Sequence, residues 1–337
     1  YLLPASLVLL TLSIDLKSII NLGPKAIIMF LTGTIGILIG GPISLLIASY
    51  FGLVPINPED LWRGLTTVAG SWIGGGANQA AMKEMFNVDD QIFSSMITVD
   101  VIVANVWMGF LLFGAGINQR IDKWLQADSS AIEDLKNKLI NYKKKNQRIP
   151  SLLDFMMILA IGFGITGFAH LCSDIISPYI QNNFPFLEKF SLTSPFFWLI
   201  VIATTGGLAL SFTNFRKYEG AGASTIGSVF LYVLVATIGM KMDALAILDH
   251  PGLFVLGFIW MLIHVILLLS IAKLIRAPFF FVAVGSQANV GGAASAPVVA
   301  SAFHPSLAPV GVLLAVLGYA LGTYAAWFCG ILMQFVS

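Results

Sequence analysis

A chain of 337 residues with 57% hydrophobic and only 10% charged residues is not an ordinary soluble domain, since such domains carry about a quarter charged residues. The formal net charge of +1 excludes a nucleic-acid partner, which needs a strongly basic face. Cys172 and Cys329 both lie in apolar surroundings and offer neither a disulfide framework nor a thiolate metal site. Mean hydropathy of +0.88 assigns an all-α polytopic membrane protein with the lipid bilayer as its surroundings, and the absence of β-barrel patterning predicts a cell inner (cytoplasmic) membrane.

A span needs about 20 apolar residues. Hydropathy predicts ten of them, near 1–18, 24–50, 60–86, 91–116, 151–176, 195–213, 219–240, 252–273, 278–303 and 307–334. Charge gathers between the fourth and the fifth. Arg120, Lys123, Lys136, Lys138, Lys143, Lys144, Lys145 and Arg148 are eight of the eighteen basic residues, so by the positive-inside rule the linker 118–150 is cytoplasmic. It separates a first repeat, 1–117, from a second, 151–337.

An internal repeat accounts for the uneven four-plus-six split. Asp15-Leu16-Lys17-Ser18-Ile19-Ile20 aligns with Asp243-Ala244-Leu245-Ala246-Ile247-Leu248, and each precedes a Gly/Pro pair, a long apolar helix and a glycine-broken one. In this register 151–176 and 195–213 have no counterpart, which predicts that about two further helices precede Tyr1. Six crossings then separate the two glycine motifs and make the halves parallel. An inverted repeat needs an odd number, and 151–214 is where a miscounted crossing is expected.

The motifs themselves are Gly70-Ser71-Trp72-Ile73-Gly74-Gly75-Gly76-Ala77-Asn78-Gln79 and Gly285-Ser286-Gln287-Ala288-Asn289-Val290-Gly291-Gly292-Ala293. Gly74, Gly75, Gly76, Gly291 and Gly292 break membrane helices, and backbone freed at bilayer depth survives only around a cavity or site. A helix C-terminus attracts a cation and an N-terminus an anion. Asn78, Gln79, Gln287 and Asn289 add amides, and Ser71, Ser286 and Ser295 add hydroxyls. The competing reading is close packing by glycine with interhelical amide bonds.

Asp100 lies about 15 Å into its helix at 1.5 Å per residue. A carboxylate at that depth marks an ion or proton path, or a hydrogen-bonded structural acid. Asn105 follows five residues later, two turns from Thr98. His264 carries two readings, a proton relay and an interhelical hydrogen bond.

The run Leu3-Pro4-Ala5-Ser6-Leu7…Leu12-Ser13-Ile14-Asp15-Leu16-Lys17, both glycine motifs and Val99-Asp100…Ala104-Asn105-Val106-Trp107-Met108 resemble the YjcL-like family of bacterial and plastid membrane proteins. The resemblance covers essentially the whole chain. The family is grouped with the cation/proton antiporters and bile-acid sodium symporters. It implies a core domain, in which two interrupted helices cross at mid-membrane, and a panel domain. It also implies an essential acid where Asp100 falls, and a homodimer. The resembling antiporters have an adjacent acidic or Asn-Asp pair, whereas this chain has Val99-Asp100.

The reading that follows is a secondary active transporter without a cofactor, moving a small-molecule or ion substrate with sodium or a proton as coupling ion. Sodium-coupled symport of a small organic anion or zwitterion is favoured, because neutral amides and hydroxyls surround one central acid. Asp100 is the proposed sodium ligand. The alternatives are a monovalent cation/proton antiporter, a channel and a membrane enzyme. Against an enzyme stands the lack of a His-Glu-x-x-His, a metal-spaced Cys/His cluster or a P-loop.

Overall fold

The computed structural model describes residues 1–14, 19–127, 149–190, 192–239, 251–304 and 307–337. Asp15, Asp243 and the six basic residues of 128–148 lie outside the described residues, so the register drawn through the two aspartates and most of the charged linker do too.

The described residues form helices throughout. In chain order they are α1 (Leu2–Leu12), α2 (Pro24–Phe51), α3 (Pro58–Gly74), α4 (Gly76–Met85), α5 (Asp90–Gly116), α6 (Asn118–Leu125), α7 (Leu152–Asn183), α8 (Pro195–Ser211), α9 (Ala223–Gly239), α10 (Gly252–Leu274), α11 (Phe279–Val290), α12 (Gly292–Phe303) and α13 (Ala308–Val336). Short 3-10 segments at Pro185–Phe190 and Asn214–Ala221 connect α7 to α8 and α8 to α9. Five helices, α2, α5, α7, α10 and α13, are long and apolar enough to cross a membrane. A sixth candidate pairs α8 with the segment after it, across a 94° bend.

Start signals are local. Asn57 caps α3 by accepting from Glu59 N–H, Asp89 caps α5 by accepting from Gln91 N–H, and Ser151 with Asp154 forms a reciprocal capping box on α7, each matching an otherwise unpaired first-turn amide. Pro58, Pro195 and Pro24 open their helices where a missing N–H costs nothing.

The two glycine motifs do not cross the bundle as single interrupted helices. Each is a helical hairpin that returns to the end it came from. In the first, a Cβ on Gly70 of α3 would stand 2.7 Å from Asn78 O of α4. At its base Arg63 Nη1 donates to Phe86 O at 2.9 Å, and the Trp62 and Phe86 rings meet edge-on at 5.6 Å. In a continuous helix, residues 62 and 86 would be about 36 Å apart. In the second, the Phe280 and Phe303 rings are 5.3 Å apart. The turn of the first hairpin is Gly75, at φ 76 and ψ −177, backbone that side-chain-bearing residues avoid.

These hairpins enter from opposite ends. Helices α2 and α10 lie antiparallel. Lys25 Nζ donates to Arg276 O at 3.1 Å at one end, Trp260 Nε1 donates to Ile37 O at 2.8 Å in the middle, and Gly252 abuts Leu53 at the other end. Because α3 follows Leu53 and α11 follows Arg276, the first hairpin starts at what we term the Pro58 end and the second at the Phe279 end. Among the described residues α5, α7, α8, α9 and α10 lie between them in the chain, and starts at opposite ends require an odd number of passes. The even count expected from the sequence is corrected in the motifs themselves, which contribute no crossing, and not in 151–214.

One order of elements occurs twice: a short apolar helix, a long one, a hairpin and a long one, as α1–α5 and as α9–α13. The hairpins predict that single cysteines at Asn57 and Asn87, with Cys172 and Cys329 replaced, are labelled by an impermeant maleimide from the same side of a membrane vesicle. A cysteine at His304 is labelled only from the other. Opposite-side labelling of 57 and 87 would restore a crossing helix.

Candidate functional site

The hairpin tips meet on α13. A Cβ on Gly318 would stand 2.9 Å from Ile73 O and 3.4 Å from Ala288 O, one carbonyl from the last turn of each inbound arm. A Cβ on Gly322 would stand 2.5 Å from Gly74 Cα. Between these glycines Tyr319 separates the tips. Its ring lies 3.3 Å from the place a Gly75 Cβ would take, and its hydroxyl 3.9 Å from that of Gly292. Neither outbound arm, α4 or α12, has a side-chain cap on its N-terminus. Two inbound C-termini and two outbound N-termini therefore gather about Tyr319, placing partial charges of both signs in one region.

Asp100, 6% exposed, reaches the first hairpin from α5. Its Oδ2 accepts from Ser71 Oγ at 2.6 Å and from Gln79 Nε2 at 3.0 Å, and its Oδ1 accepts from Trp72 Nε1 at 2.7 Å. The carboxylate thus ties both arms together just below the turn. All three donors are neutral. Buried carboxylates ordinarily have a basic partner, and among the ion pairs of the described residues none involves Asp100.

The two asparagines are pins. Asn78 donates to Gly74 O at 3.0 Å and Tyr319 O at 3.1 Å, and accepts from Thr323 Oγ1 at 2.6 Å. Asn289 donates to Gly285 O and Phe30 O, each at 2.9 Å, and accepts from Thr34 Oγ1 at 2.7 Å. With both donors used and the carbonyl engaged, Asn78 fastens the first hairpin to α13 and Asn289 fastens the second to α2. Interhelical bonds of this kind contribute on average about 0.6 kcal/mol each in a membrane, up to about 1.7.

Gln287, 2% exposed, is different. Its Nε2 donates to Ser295 Oγ across the second hairpin at 2.7 Å, while its Oε1 is buried with no partner. Turning the amide over would only exchange which half is unmatched, because Ser295 satisfies one end in either pose. The second hairpin therefore carries an open half-amide beside its turn.

Asn105 stands apart from this assembly. It is exposed on α5 and donates to Val101 O of its own helix at 2.7 Å. The five-residue spacing from Asp100 turns it to another face, so the expectation that it joins the site is corrected. His264 is fully buried, with Nδ1 3.0 Å from Gly33 O and Nε2 2.8 Å from Ser286 Oγ. Because a carbonyl only accepts, Nδ1 carries the proton. Ser286 then donates to Nε2 and accepts from Trp107 Nε1 at 2.8 Å. This chain binds α2, α5, α10 and α11 and fits the interhelical reading of His264.

Sequence reasoning passed over Trp72, Tyr319 and Thr323. Trp72 was inside the first motif. The spacing Gly318-x-x-x-Gly322 in 308–336, a close-packing signature, was the available signal for Tyr319 and its helix. Outside the spans, Asp122 of α6 accepts from Phe279 N–H at 2.7 Å, so a side chain from another helix satisfies the first amide of the second hairpin, whose N-cap is Pro278. Burial raises the Asp122 carboxyl above the usual value, and that hydrogen bond offsets part of the rise.

Among curated proteins, the chain is 25% identical over 344 residues to the uncharacterized membrane protein YjcL of Bacillus subtilis (strain 168), covering 98% of this chain and 81% of that one. The family model described as "Protein of unknown function (DUF819)" matches residues 1–336. Multi-pass helices and the opposed hairpins are thus features of a chain that belongs to the DUF819 family of membrane proteins.

Proposed function

We propose that the protein is a secondary active transporter that couples sodium to symport of a small organic anion or zwitterion by alternating access. The observation that carries this reading is the meeting of two oppositely oriented hairpin tips beside Asp100, a buried carboxylate held only by neutral donors. Sodium would neutralise that acid, with carbonyls of the inbound arms as further oxygen ligands. The open half-amide of Gln287 and the uncapped N-termini of α4 and α12 would take the substrate's polar head. On this reading α1–α5 and α9–α13 are inverted repeats, and the hairpins with their flanking long helices form the moving core.

The charge pattern supports an orientation in a cytoplasmic membrane. Lys25, Arg120, Lys123, Arg216, Lys217, Lys273 and Arg276 belong to the Phe279 end, against Arg63, Lys83 and Lys189 at the Pro58 end. By the positive-inside rule the Phe279 end, with the linker, faces the cytoplasm.

The test is uptake into proteoliposomes under an inward sodium gradient, with a panel of radiolabelled small carboxylates and amino acids. Accumulation that needs sodium and collapses with its gradient supports the reading. Because Asp100 has no basic partner in its hydrogen-bond set, a cation/proton antiporter is the second reading. Internal acidification or alkalinisation on adding sodium alone, with no organic uptake, would select it.

A further inference from the structure

Away from the hairpin tips, a recess of about 620 Å³ opens at the Pro58 end, in the seam between the base of the first hairpin and the connection from α7 to α8. Its volume falls in the range of small-molecule sites, roughly 300–1,000 Å³. Arg63, Glu188, Trp62, Phe86, Phe186 and Gln334 are among the residues that line it. The Arg63 guanidinium is committed on one side only. Its Nη1 donates to Phe86 O at 2.9 Å and its Nη2 to Glu59 Oε1 at 2.6 Å, whereas its Nε–H is buried without an acceptor. Two of the five N–H donors are thus used, and the side chain, 31% exposed, has donors left for an oxygen.

The charges of the wall limit what can bring that oxygen. Glu59 already offsets Arg63, and Glu188 adds a second carboxylate to the lining. A simple anion would leave the Glu188 carboxylate without a partner, and a simple cation would leave the remaining Arg63 N–H groups without an acceptor. A head carrying both signs satisfies each group. Trp62 and Phe86 supply a packed aromatic wall, and Phe186, 63% exposed, stands ready to cover an apolar body.

We propose that this recess binds a zwitterionic head, an acidic oxygen and a protonated amine a few bonds apart, attached to an apolar body. The oxygen lies on the Arg63 guanidinium and the amine on the Glu188 carboxylate. Two sources share this chemistry: a free apolar amino acid and the head of an aminophospholipid. The site needs no transport by the protein, so it stands apart from the reading above.

The test uses the full-length protein in nanodiscs of phosphatidylglycerol, reading tryptophan fluorescence and calorimetric heat. The soluble probes are L-phenylalanine, 3-phenylpropionate (no amine) and phenethylamine (no carboxylate). The lipid probe is phosphatidylethanolamine doped into the disc, with retention read by native mass spectrometry. Phenylalanine binding at least tenfold more tightly than either half-molecule identifies the free source. Selective retention of phosphatidylethanolamine over phosphatidylcholine identifies the lipid source. In either case Glu188→Gln and Phe186→Ala weaken the favoured probe several-fold, and Arg63→Gln tenfold or more. Arg63 also holds the hairpin base, so the first two variants keep the test decisive if Arg63→Gln does not fold. Equal binding of phenylalanine and phenylpropionate overturns the proposal. So does unchanged binding in both Glu188→Gln and Phe186→Ala, or the absence of binding by every probe.

Discussion

Asp100→Asn folds, and it loses the response to sodium. In wild-type protein, sodium at 100 times its dissociation constant should add about 2.7 kcal/mol to the folded state, seen as a melting shift absent in potassium. In Asp100→Asn that shift disappears and sodium-driven uptake falls on the order of 100-fold. The variant is expected to fold because its neutral amide can be matched. Trp72 Nε1 still donates to an oxygen, the Ser71 hydroxyl rotates to accept from the new NH₂, and the Gln79 amide turns over to present its oxygen. Asp100→Ala instead strands three buried donors at about 1–3 kcal/mol apiece, and should unfold the first hairpin's clamp outright. The pair of variants separates charge from structure: one removes only the charge, the other the hydrogen-bond acceptors as well. A sodium-dependent melting shift that survives in Asp100→Asn would sink the assignment of the ion to this carboxylate.

Asp100 was legible in the sequence because a lone acid in an apolar helix is conspicuous, and the amides and glycines were legible because they recur in two motifs. What each amide does was not. Gln79 and Gln287 face the clamp and an open half-amide, while Asn78 and Asn289 spend their capacity on helix carbonyls and threonine hydroxyls. Nothing in residue type distinguishes these roles, since the partners Tyr319, Thr323, Phe30 and Thr34 lie more than 200 residues away in the chain. Nor could hydropathy tell a hairpin from a span. The stretch 60–86 has the length of a crossing helix, and its return is set by the Gly70–Asn78 and Arg63–Phe86 contacts, which a local window cannot see. The one trace in the sequence was the parity conflict. Six crossings and an inverted repeat are incompatible, and counting each motif as a turn-back removes the conflict without moving any other helix.

Gly322 is where the first hairpin is most sensitive to a single methyl group. A Cβ there would lie 2.5 Å from Gly74 Cα, 2.9 Å from Gly74 N and 2.7 Å from Asn78 Nδ2. Two of those atoms are backbone and the third belongs to the side chain that pins the tip to α13, so no flexible group can move aside. Gly322→Ala should therefore cost about 1–3 kcal/mol, and Gly322→Val more, as overpacking does where neighbours cannot relax. Gly164 of α7 provides the control. A Cβ there meets nothing within 4 Å, and alanine in mid-helix is favoured over glycine by roughly 0.5–1 kcal/mol, so Gly164→Ala should be neutral or slightly stabilising. Thermal unfolding of both variants in one detergent gives the comparison. The same displacement would pull Gly74 and Gly75 off Tyr319, so the folded fraction of Gly322→Ala should also lose sodium stabilisation while keeping Asp100. If Gly322→Ala melts with Gly164→Ala, the tip does not rest on α13 and the site must be built without that helix. If it melts lower and loses the sodium response together, stability and ion binding share one contact, the backbone-to-backbone approach of Gly74 and Gly322.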